Sequence, residues 1–99
     1  MVVKRIDLPA KDLSTIASRV SGHGGVAFLL SKNGERAEAI ITSGIPQVNA
    51  GEIIGQISTM LGGKGGGNAS LARGGGGNTD QIELALKVGR ERIAASIQG

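Results

Sequence analysis

"GVAFLLSKNGERAEAIIT", Gly25–Thr42, decides the architecture. Its first half, GVAFLLS, is an unbroken apolar run of strand length, the pattern of a strand covered on both faces. "KNGE" follows, and Asn33-Gly34 is a strong signal for a two-residue hairpin turn. "RAEAIIT" then sets Arg36 and Glu38 alternately against Ala37 and Ala39, as a half-exposed strand does. A hairpin of this kind is the middle of a sheet, and the flanking sequence supplies its cover.

Upstream, Val2–Leu8 is rich in β-branched residues and reads as a first strand. In "PAKDLSTIASRVSG", Leu13, Ile16, Ala17 and Val20 fall on one helical face, with Pro9 near the first turn and Gly22 as the stop. Downstream, Asn49 is the N-cap of a second helix that buries Ala50, Ile53, Ile54, Ile57, Met60 and Leu61, and Gly62 ends it. Between Gly62 and Gly77 only "NASLAR" reads as a strand. Asn78 or Thr79 then caps a last helix with Ile82, Leu86, Ile93 and Ile97 along one side. The order is β-α-β-β-α-β-α. That is an α+β fold with a mixed β-sheet and packed helices: two layers, or three if the last helix covers the second face.

Ninety-nine residues make one domain, 1–99, with no internal repeat. No stretch approaches the roughly 20 apolar residues of a membrane span. The start lacks a signal-peptide core, and no cysteine is present, which sets an expectation of a cytoplasmic location without membrane contact. The net charge is +3, and no Asp or Glu occurs between Glu52 and Asp80. An anionic partner such as nucleic acid suits that positive zone.

Nine of the sixteen residues from Gly62 to Gly77 are glycine, with Lys64 and Arg73 the only charges among them. Ordering nine glycines costs on the order of 5 kcal/mol, similar to the net stability of a small domain, about 5–15 kcal/mol. The segment is therefore held by something, or it stays mobile until a partner holds it. It is no Walker loop, because Gly65 stands where Ser or Thr must follow Gly-Lys. Gly22, Gly24 and Ala27 match a dinucleotide fingerprint in letters, but a strand follows them where a helix is required. What remains is a run of glycine N–H groups able to form an anion-binding nest, aided by Lys64, Arg73 and the positive end of the last helix. The single histidine, His23, reads as a turn residue. Asp7 and Asp12 read as surface charge, and Lys87, Arg90 and Arg92 as a solvated basic face or an RNA-facing strip. Nothing here forms a catalytic set or a metal cluster.

"GGKGGGNASLARGGGG" resembles the signature of the C-terminal globular domain of alanyl-tRNA synthetases, the DHHA1 domain. Gly62, Gly63, Lys64, Gly65, Gly66 and Gly67 match its opening, and Ala72 matches the alanine before the second glycine cluster. Asn68 stands where the family has Arg or Lys, Ala69 for its Pro, Ser70 for its acid and Arg73 for its Gln. The resemblance implies tRNA binding at the elbow, tRNA(Ala) as partner, and support of aminoacylation and editing by other domains of a parent alanine–tRNA ligase. It also implies a role in dimerisation in some members. Catalysis, ATP with Mg, and the zinc of the editing domain would all lie outside this chain. Candidate RNA contacts are Lys64, Gly65, Gly66, Gly67, Asn68, Arg73, Gly74 and Gly75. Alternative parents are a free-standing alanyl-tRNA editing protein and a DHH phosphoesterase, whose DHHA1 domain binds nucleotides.

Overall fold

The computed structural model describes residues 2–98. One five-stranded sheet runs in the order β1-β2-β3-β5-β4. The strands are β1 (Val2–Arg5), β2 (Val26–Asn33), β3 (Arg36–Ser43), β4 (Lys64–Gly67) and β5 (Leu71–Gly76). β1 pairs with β2 in parallel, and every other pairing is antiparallel. The helices are α1 (Ala10–Gly22), α2 (Ala50–Met60) and α3 (Ile82–Gln98), the last entered through a 3-10 turn at Thr79–Gln81.

The apolar run in β2 is buried from Val26 to Ser31, as its lack of alternation requires. One face carries Val26, Phe28, Leu30 and Ile41 against α2 and α3. The other carries Ala27, Leu29 and Ile40 against Leu13 and Ala17 of α1. Thr42 faces α1 too, its buried hydroxyl donating to the Ala17 carbonyl at 2.8 Å. Of the two-layer and three-layer arrangements the sequence leaves open, the fold has three layers, and α1 rather than the last helix makes the third. A parallel β1-α1-β2 crossover must pass over one face, and α1 fills that passage.

Three local expectations are corrected. The hairpin turn centres on Gly34-Glu35, since Asn33 pairs with Arg36. Gly34 has φ +65° and no described non-glycine residue has positive φ, so glycine takes the first central place of a type II′-like turn. α1 ends at Gly22, as the sequence reads, and Gly24, at φ +77°, closes it, with Gly24 N–H bonded to Ser21 O at 2.9 Å and Gly25 N–H to Val20 O at 3.2 Å. Gly62 closes α2 in the same double-bonded way, through Thr59 O and Ser58 O. Neither Asn78 nor Thr79 caps the last helix with a side chain. Instead the Asn78 amide reaches the Met60 carbonyl and its N–H donates to Leu61 O, tying the start of α3 to the end of α2. Along α3, Ile82 and Ile93 are buried, Leu86 is half-buried, and Ile97 is 45% exposed. Ala85 and Gly89 complete the buried stripe, and a Cβ at Gly89 would overlap the Phe28 ring.

Asp7 does more than decorate the surface. It accepts from the Lys32 N–H at 3.0 Å and from Arg5 Nε at 3.2 Å, joining the end of β1 to β2. The Lys32 N–H first, and the Arg5 guanidinium second, hold this carboxyl below its usual range. A depressed folded-state pKa stabilises above the unfolded value and stops doing so as pH falls through the folded one. Asp7→Asn should therefore lower the urea midpoint at neutral pH. The gap should start to close as pH falls below the ordinary Asp value of about 3.9 and vanish once it has fallen through the lower folded-state one.

Candidate nucleic-acid interface

The glycine segment is held. β4 and β5 form a hairpin, so the strand expected over 68–73 becomes two strands with Asn68–Ser70 as the turn between them. Asn68 Oδ1 accepts from the Ser70 and Leu71 N–H groups, both at 2.9 Å, and its own N–H donates to Leu71 O. Ala69 O accepts from Ala50 N–H, and Ser70 O from Ser43 N–H. The turn is thus fastened both to the start of α2 and to β3.

Glycine is required here by close approach. Gly65 and Gly74 are register partners, and a Cβ on either would overlap Ser58 Oγ of α2. α2 therefore lies directly on this end of the sheet. Gly75 and Gly76 are buried, and a Cβ on them would overlap the carbonyls of Ala37 and Leu61. Only Gly66 and Gly77 of this segment have open space on the Cβ side.

The opposite face of the same hairpin is open. α1 covers β2 and part of β3, and beyond it lies a trough of about 250 Å³ lined by Leu13, Arg36, Glu38, Ile40, Lys64 and Arg73. Pairing explains the grouping: Ile40 lies opposite Arg73, while Glu38 and Lys64 lie opposite Gly75 from either side. Alternation along each strand then projects Arg36, Glu38, Lys64 and Arg73 on the α1 side. Among the described residues the ion pairs are those of Arg5 with Asp7 and Glu83, so the three trough cations are free for an anion. Glu38 has one contact, from Asn33 Nδ2 to Oε2 at 3.4 Å.

Of the candidate contacts, the fold brings Lys64 and Arg73 together beside the exposed β4. Asn68 stands at the hairpin tip, with its side-chain oxygen engaged in the turn. Asn68 N–H points inward to Leu71 O, so alternation leaves the backbone groups of Gly65 and Gly67 on the free edge, and Gly66 and Lys64 bond inward. Gly74 and Gly75 lie within β5 between two neighbours. Arg36 and Glu38 were missed, because only the sheet register brings them to the glycine segment. On α3, Arg90 Nη2 donates to Val3 O at 3.4 Å and Arg92 contacts Gln56, so part of the basic face is used in packing. No group of three His, Cys, Asp or Glu among the described residues is placed to hold a metal ion.

The C-Ala domain of Aquifex aeolicus alanyl-tRNA synthetase has the same fold. It superimposes with a TM-score of 0.79 at 30% identity, covering 89% of this chain and 85% of that one. The family model of the DHHA1 domain matches residues 1–95. The chain belongs to the DHHA1 family. Similar sequences include the alanine–tRNA ligases of Methanoregula boonei, 55% identical over 99% of this chain, and Methanospirillum hungatei, 40% identical over 98%. This DHHA1 domain spans only 11% and 10% of those two ligases. The α+β class read from the sequence is the class observed, with one more strand than expected. None of its described helices is long and apolar enough to cross a membrane.

Proposed function

We propose that residues 1–99 are the C-terminal tRNA-binding domain of a cytoplasmic alanyl-tRNA synthetase, which meets the elbow of tRNA(Ala) and supports aminoacylation and editing by the parent enzyme. The observation that carries this is the open trough, where Arg36, Lys64 and Arg73 form no ion pair among the described residues and stand beside an exposed glycine strand. Three cations and edge amides suit the phosphates and shape of a folded RNA corner. The only aromatic, Phe28, is fully buried, so stacking of splayed bases on an aromatic side chain is unavailable.

Similarity to alanine–tRNA ligases supports a synthetase parent over a phosphoesterase or a free-standing editing protein. ATP with Mg, and zinc, would then act in other domains of the parent. A few phosphate contacts bind weakly and with steep salt dependence; tethering to the rest of the enzyme raises the effective concentration. A dimerisation role through α3 would rely on Ile97, because Ile93 is buried in the core. A strictly monomeric sedimentation profile would remove that role.

The test is a titration of the domain against folded tRNA(Ala) transcript and a linear RNA of equal length, at two salt concentrations. The folded RNA should bind more tightly, with the difference surviving at higher salt. Equal affinity for both would defeat elbow recognition.

A further inference from the structure

We propose that the trough reads one nucleotide of the bound RNA: Glu38 accepts a hydrogen bond from an exocyclic base amine while Lys64 and Arg73 hold the adjoining phosphate. This rests on the RNA-binding reading above and adds a base preference to it.

The arrangement of charge carries the inference. A site for phosphate alone has no use for a carboxylate, yet Glu38 stands in the same trough as three cations and forms no ion pair among the described residues. Across the sheet, Glu38 and Lys64 lie opposite Gly75 from either side, two strand spacings apart, or about 9–10 Å. Gly75 contributes no side chain between them. In the next row Arg73 stands between Ile40 and Gly66, so the cationic end is two residues wide. The slot therefore carries Lys64 and Arg73 at one end and Glu38 at the other, with Arg36 flanking Glu38 along β3 and the apolar Leu13 and Ile40 in its lining. A nucleotide with an amino-bearing base has the matching polarity and a comparable phosphate-to-base span. Its phosphate is repelled from Glu38 and drawn to Lys64 and Arg73, which fixes its direction. Carboxylates are suited to the amine of cytosine and repel the oxygen that uracil has in its place.

The test uses the isotope-labelled 99-residue chain, with amide shifts recorded on adding CMP or UMP at millimolar concentration. CMP should shift Glu38, Lys64 and Arg73 and bind about fivefold or more tighter than UMP. Glu38→Gln, which keeps an acceptor for Asn33, should erase or reverse that preference. Arg73→Gln should weaken both nucleotides and leave their order unchanged. Folded tRNA(Ala) should displace CMP. Equal binding of the two nucleotides, no binding of either while tRNA binds, an unaltered preference in Glu38→Gln, or CMP retained alongside tRNA would each overturn the slot. Failure of tRNA itself to bind would overturn the RNA reading instead.

Discussion

Gly74→Ala should be among the most destabilising single-methyl additions to this domain, and Gly77→Ala should cost almost nothing. Both add one carbon to the same glycine cluster, so propensity does not separate them. Surroundings do: a Cβ at Gly74 would overlap Ser58 Oγ and stand 3.1 Å from Ser58 Cβ, whereas one at Gly77 meets nothing within 4 Å. Ser58 is fixed on a helix that is itself pinned at both ends, by Asn49 and by the Gly62 closure, so it cannot simply withdraw. Overpacking of this sort costs about 1–3 kcal/mol, a melting-point loss on the order of 10 °C for a domain of this size. Ser58→Ala should be neutral or stabilising alone, because its buried hydroxyl has no hydrogen-bond partner. Combined with Gly74→Ala it should recover part of the loss. Thermal melts of the two single variants and the double variant form a cycle, and additivity within about 0.3–0.5 kcal/mol would show that α2 does not rest on these glycines.

Replacing Arg36, Lys64 and Arg73 together by Ala should lower affinity for folded tRNA(Ala) by two orders of magnitude or more at low salt. A charge-assisted hydrogen bond contributes about 1.5–3 kcal/mol, roughly tenfold or more per contact. The triple variant should also flatten the slope of log affinity against log salt by about two to three. Stability should change little, since none of the three is ion-paired among the described residues. Arg36 separates the trough from the glycine segment alone: Arg36→Ala should weaken binding about as much as Arg73→Ala, although the two are 37 positions apart. An unchanged affinity in Arg36→Ala would confine the contact to the glycine hairpin.

Much of the framework was legible because single side chains announce it. Val26–Ser31 has no polar alternation, which requires cover on both faces, and the Asn49 cap with Gly62 brackets α2 within one residue of its observed ends. The role of the glycines was not legible. Composition presents Gly62–Gly77 as a flexible ribbon, while the structure makes nearly all of it ladder, turn and helix seat. That difference depends on Ser58 standing over Gly65 and Gly74, a contact between residues 7 and 16 positions apart. The charge of the site is not legible along the chain for a similar reason. The stretch between Glu52 and Asp80 holds no acid along the chain, but β3 pairs with its β5 and brings Glu38 into the same trough as Lys64 and Arg73. Local pattern identifies elements; register decides which charges meet.

The central claim is that folded RNA lies on the α1 side of the sheet, across β3, β5 and β4. Amide shifts of the labelled chain, mapped as folded tRNA(Ala) is added, test it most directly. Perturbation should concentrate at Arg36, Glu38, Lys64, Gly65, Gly67 and Arg73. Changes confined to Lys4, Lys87 and Arg90 at the β1–α3 end, with the trough silent, would contradict it.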